Sequence, residues 1–152
     1  MKDTEFVNTG QMVNRAKELA TSAHAGQVDK AGNPYIQHPA RIAASLTDDE
    51  AIASAWLHDV VEDTTVTLDQ LAEQFPPNVV DAVDALTKRA DESRAQYYER
   101  VRTNPIALTV KLADINDNSN PERLSKLDRA TRARLEAKYA SAIQQLTSAT
   151  ES

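Results

Sequence analysis

The segment AWLHDVVEDT, Ala55 to Thr64, lies in the most apolar part of the chain yet holds His58, Asp59, Glu62 and Asp63 within six residues. With AIASAWL at its start and VV inside it, it reads as a helix at the centre of a core. Taking His58 as zero and 100° per residue, Glu62 falls at about 40°, Asp59 at about 100° and Asp63 at about 140°. All four then share one face of a continuous helix, with Val60 at about 200° on the other side. The ordinary explanation of such a face is a solvated stripe on an amphipathic helix. In so apolar a setting, however, three carboxylates call for a compensating cation, because an unpaired buried charge costs far more than a hydrogen bond contributes.

The rest of the chain reads as helices that could surround this one. MVNRAKELATSAHA, Met12 to Ala25, has apolar residues at helical spacing, and His38-Pro39 opens a second helix with proline in its first turn. Thr47 with Glu50 predicts a capping box for the helix carrying His58, and Thr67 with Gln70 another for LDQLAEQF. Further helices are expected over Pro77 to Leu86, Glu92 to Val101, from Asn104-Pro105 through VKLADINDN, and over Leu127 to Leu146. Only three glycines, few aromatics and scattered β-branched residues leave no strand pattern. The expected fold is all-α: a single compact multi-helix domain over residues 1–152, with a metal site at its centre and a ragged SATES tail.

Composition narrows the function. A chain of 152 residues with 41% hydrophobic content can bury a core without help. The absence of cysteine excludes a disulfide framework, a thiolate zinc site and a Cys nucleophile, and suits the cytoplasm. No apolar run approaches the ~20 residues that span a bilayer, and MKDTEFVNTG lacks the charged-then-apolar order of a signal peptide, so no membrane role is expected. A net charge of −6 argues against nucleic acid as a partner. It leaves room for a phosphorylated small molecule whose charge is met by a metal or by local basic groups.

His58 and Asp59 diverge by roughly 100° on a continuous helix, so they can share an ion only where helices cross. Other helices must contribute. The remaining histidines are His24 and His38, and the isolated carboxylate in an apolar helix is Asp114. Singly, His38 reads equally as a helix-start residue bonding its own backbone, and Asp114 as a solvated charge near a helix end. Together, His38, His58, Asp59 and Asp114 form a two-nitrogen, two-oxygen set that suits manganese, iron or zinc.

The order AHAGQVDKAGNPYIQHPARIA, AWLHDVVEDT, LTKR and VKLADINDN resembles the HD-domain phosphohydrolases, specifically the small alarmone hydrolases and the hydrolase half of the long Rel/SpoT stringent-response proteins. The resemblance implies that His38, His58, Asp59 and Asp114 hold Mn2+, with Fe2+ or Zn2+ as alternatives. It implies that Glu62 and Asp63 activate water and handle protons, and that Asn118 contacts the nucleotide. The substrate implied is a small-molecule nucleotide of the (p)ppGpp type, losing its 3′-pyrophosphate. KYASAI places Tyr139 at the pocket, and Lys30, Lys88 and Lys111 offer local positive charge, although each also reads as an ordinary surface lysine. His24 is expected to be a core histidine or one that supports the site, holding a backbone group or a carboxylate, leaving one metal.

Departures from the family pattern bear on the substrate. DKAG stands where the long enzymes read RKSG, Ile115-Asn116-Asp117 where they read Arg-Leu-His, and Pro121 where a hydroxyl residue is usual. With Asp29 in place of an arginine that stacks on guanine, adenosine alarmones and the 2′-phosphate of NADPH become alternative substrates. A non-catalytic nucleotide-binding sensor is a third reading. Retention of both Glu62 and Asp63 argues against it, since binding alone needs no proton carriers.

Overall fold

Side-chain caps start most of the helices, where Ser, Thr, Asn or Asp precedes an apolar run. The protein is described by a computed structural model over residues 9–29 and 32–147. The elements are α1 (Thr9–Ala23), α2 (Gln37–Ala44), α3 (Asp49–Leu57), α4 (Val60–Asp63), α5 (Leu68–Ala72), α6 (Pro77–Leu86), α7 (Arg94–Arg102), α8 (Pro105–Asn118), α9 (Pro121–Leu124) and α10 (Arg129–Thr147). Among the described residues there is no strand, only an isolated antiparallel bridge between Val28 and Pro34. The fold is all-α, as expected. The SATES tail, Lys30 and Ala31 lie outside the described residues.

Thr67 and Ser93 close capping boxes with Gln70 and Gln96, and Asn104 accepts a bond from Ala107 N ahead of Pro105. The cap of α3 differs from the expected one. Asp48, not Thr47, is the capping residue, its carboxylate accepting from Ala51 N at 3.0 Å. A full negative charge answers the positive end of the helix better than a hydroxyl does. Asp48→Ala should therefore lower stability by about 1 kcal/mol, and Thr47→Ala should change it by less than about 0.5 kcal/mol, in urea unfolding. The opposite ranking would return the cap to Thr47.

The most consequential correction concerns the segment around His58. α3 stops at Leu57, Asp59 turns out of helical geometry with φ −106° and ψ 0°, and α4 restarts at Val60. The four ionisable residues therefore do not lie on one continuous helical face. His58 is buried and Asp59 half-buried, while Glu62 and Asp63 are exposed.

α3 is the hub of the molecule, packing against α1, α2, α6 and α8. Ala51, Ala53, Ser54 and Ala55 are all buried along it, together with Trp56 and Leu57. Small side chains on a helix let its neighbours approach closely, and α2 and α8 also pack directly on each other. By contrast α10 buries only Ala142 and Leu146 of its 19 residues, lying over α7 and α8. Between α1 and α2, Gly26 and Gly32 adopt φ of +85° and +89°, left-handed values that frame a tight loop. Asp29 closes this loop, its Oδ1 accepting from Asn33 N at 2.9 Å. No described helix is long and apolar enough to cross a membrane.

Candidate metal centre

Three elements meet at the site. His38 lies in the first turn of α2, His58 ends α3, and Asp114 sits in the second half of α8. All three are buried, and one ligand atom from each lies within 4.8 Å of the others. His38 Nε2 is 2.8 Å from Asp114 Oδ1, and His58 Nε2 is 3.8 Å from the same oxygen. Asp59, from the turn that breaks the helix, brings Oδ2 to 3.1 Å from His58 Nε2. Neighbouring side chains on an unbroken helix would diverge by about 100°. The turn is what lets this pair face one point.

The hydrogen bonds fix how each ligand is presented. His58 Nδ1 lies 2.7 Å from the Ala55 carbonyl, which can only accept, so Nδ1 carries a proton and Nε2 is the ring atom that faces the cluster. That buried Nε2 has no well-aligned hydrogen bond, although Asp59 is near. Asp114 is held on every side: Oδ1 accepts from Asn118 Nδ2 at 3.1 Å, and Oδ2 from Lys111 Nζ at 3.1 Å. The Tyr35 hydroxyl donates to Asp59 Oδ2.

The electrostatics select for positive charge. Burial raises the Asp114 carboxyl, but its contact with His38 and the charges of the nearby His58 and Lys111 hold it well below the usual carboxylate range. Burial likewise opposes ionisation of Asp59, yet His58 and the Tyr35 bond bring it down to about 2. Burial alone would lower His58, and Asp59 and Asp114 overcome it to raise the imidazole well above its ordinary value. A buried pair of carboxylates that draws a proton onto an imidazole will also accept a divalent cation in its place. An orphaned ring nitrogen, a second imidazole and two ionised carboxylates fit such an ion.

The other sequence candidates fall into different settings. Glu62 Oε1 accepts from the backbone N of Lys88 at 3.2 Å. Asp63 has its carboxyl raised by partial burial and by the charges of Asp59 and Glu62. The Lys88 ammonium donates to the Glu92 and Arg89 carbonyls of its own loop. Lys111 is directed onto Asp114. Tyr139 of α10 is half-buried against the core, and burial followed by the charge of Asp114 raises its hydroxyl. Lys30 lies outside the described residues. His24 is buried, with Nδ1 3.1 Å from Gln27 Oε1 and its ring 5.0 Å from that of Tyr35.

Three residues at the site escape a reading by motif: Tyr35, Arg41 and Asp117. Asp117 Oδ2 meets His38 Nδ1 at 2.8 Å, and Arg41 donates to both Asp117 oxygens at 2.9 and 3.1 Å. Their signal is spacing. Arg41 follows His38, and Asp117 follows Asp114, by three positions, which puts each pair on one helix face.

A family model described as HD domain matches residues 16–148. The guanosine-3′,5′-bis(diphosphate) 3′-pyrophosphohydrolase of Aquifex aeolicus (strain VF5) is 34% identical over 127 residues, covering 76% of this chain and 18% of that protein. The protein of the same name from Haemophilus influenzae is 43% identical over 74 residues, covering 46% of this chain and 11% of the relative. The chain thus spans less than a fifth of the length of these curated relatives. A solved structure of a metazoan ortholog of SpoT that hydrolyses ppGpp shares the fold, with a TM-score of 0.75 at 23% identity, over 90% of this chain and 85% of that one. Since the matched segment carries both histidines of the cluster and Asp114 on its central helices, the chain belongs to the HD domain family.

Proposed function

We propose that this protein is a metal-dependent phosphohydrolase that removes the 3′-pyrophosphate from (p)ppGpp-type nucleotides, with Mn2+ as its ion and the described residues acting as one catalytic unit. The observation that carries the reading is the buried convergence of His38, His58 and Asp114, with His58 Nε2 left without a well-aligned hydrogen bond. The names of the curated relatives supply the substrate class. His38, His58, Asp59 and Asp114 would hold the ion. A divalent ion bound there polarises phosphoryl oxygens and lowers the pKa of water.

The chain's own groups account for the proton transfers. Glu62 and Asp63 follow the cluster by one turn, and the raised carboxyl of Asp63 is nearer than a free aspartate to exchanging a proton at neutral pH. The Lys88 amide steadies Glu62. Lys111 and Asn118 hold the Asp114 carboxylate, and the family resemblance assigns Asn118 and Tyr139 to the nucleotide. Asp29 is engaged in closing its loop through Asn33, so it is a poor substitute for a base-stacking arginine. Base selection should therefore be modest.

Metal-reconstituted protein offered ppGpp, pppGpp, ppApp and NADPH, with products resolved by ion exchange, tests the reading. Pyrophosphate release from the guanosine alarmones, abolished by chelator and restored by Mn2+, is expected. No turnover of any of the four would overturn the hydrolase reading, and turnover of NADPH alone would overturn the substrate.

A further inference from the structure

His38 meets a carboxylate at each ring nitrogen: Asp114 Oδ1 at Nε2 and Asp117 Oδ2 at Nδ1, both at 2.8 Å. Only Asp114 belongs to the cluster whose ligand atoms converge. Asp117 is on the far side of the ring, its side chain largely buried, and both its oxygens accept from the Arg41 guanidinium. A histidine that ligates a cation presents a lone pair to it, so with Nε2 turned to the ion the ring proton would be on Nδ1, where Asp117 Oδ2 can accept it.

We infer that Asp117 is a positioning residue for His38, and that Arg41 holds Asp117 in that role, so that cation affinity is set in part by a carboxylate outside the ligand set. The inference rests on the metal-site reading above. Two i, i+3 pairs carry it, His38 with Arg41 on α2 and Asp114 with Asp117 on α8, facing each other where these helices pack. A carboxylate on the outer nitrogen of a ligating histidine fixes the tautomer, locks the ring and raises the basicity of the inner nitrogen. Asp117 stands where the resembling long enzymes read histidine, and its carboxylate is what the Arg41 fork needs.

The competing explanation is an ordinary ion pair tying α2 to α8. Mn2+ binding to chelator-stripped protein, followed by calorimetry and by the Mn2+ electron paramagnetic resonance signal, separates the two. Asp117→Ala should weaken Mn2+ binding by about 10- to 100-fold. Asp117→Asn, whose amide oxygen still accepts from Nδ1 without a charge, should recover part of that loss. Arg41→Met, which removes the same ion pair but leaves Asp117 on the ring, should weaken binding less than Asp117→Ala. Unchanged Mn2+ affinity in folded Asp117→Asn and Asp117→Ala proteins would overturn the inference. So would equal losses of affinity in Arg41→Met and Asp117→Ala. Native protein that binds no divalent ion would overturn the functional reading and this inference together, whereas unchanged variants beside a binding native protein overturn the inference alone.

Discussion

Asp114→Ala protein will emerge from purification without a divalent ion and with a folded state weakened by roughly 3–5 kcal/mol, the scale of a buried ion pair broken on one side. The expectation follows from what this carboxylate touches. It accepts from Asn118 and Lys111, and lies 2.8 Å from His38 Nε2 and 3.8 Å from His58 Nε2. Removing it leaves the Lys111 ammonium, itself largely buried, without its carboxylate. Asp114→Asn keeps the shape and loses the charge, so it should unfold less readily yet still fail to retain metal. Elemental analysis and urea unfolding read the two effects separately. Full metal occupancy in folded Asp114→Asn protein would remove Asp114 from the ligand set.

Glu62→Gln and Asp63→Asn should behave in the opposite manner, retaining the metal and the fold while losing about 100-fold or more in kcat, the scale of a positioned proton carrier. Both side chains are exposed, so neither substitution should change stability by more than about 0.5 kcal/mol. A glutamine at position 62 can still accept from Lys88 N, which keeps the neighbouring loop in place. Steady-state kinetics at saturating Mn2+, with metal content measured on the same samples, checks this. Near-native kcat in both variants would turn the reading from hydrolase to nucleotide sensor.

What the sequence made legible was local. The Thr67–Gln70 box, the helix start at Asn104-Pro105 and the span Pro77–Leu86 depend on residues within a few positions of one another, and each forms as read. The convergence of His38, His58 and Asp114 was accessible because short motifs mark each of them. The turn at Asp59 was not, because helical periodicity continues through AWLHDVVEDT and only contacts from other helices reveal that it stops. Tyr35 and Asp117 were hidden for the same reason: His38 and Asp117 are 79 residues apart, and no local pattern links them. Lys88, marked by its motif as local positive charge, has an ammonium that also ties together its own loop, a contact no motif announces.

The run of small residues along α3 also bears on how such a protein can diversify. Ala53, Ser54 and Ala55 have no exposed surface, so even one added methylene must push α3 away from its neighbours, at a cost of about 1–3 kcal/mol for overpacking. The spacing of the ligand-bearing helices is thereby locked into alanine-sized gaps. No comparable constraint acts on α10, which keeps most of its surface in water, or on the loop closed by Asp29. On the proposed function, single substitutions in those outer elements would alter substrate preference at little cost to the fold, whereas any change along α3 would disturb the frame that brings His38, His58 and Asp114 together.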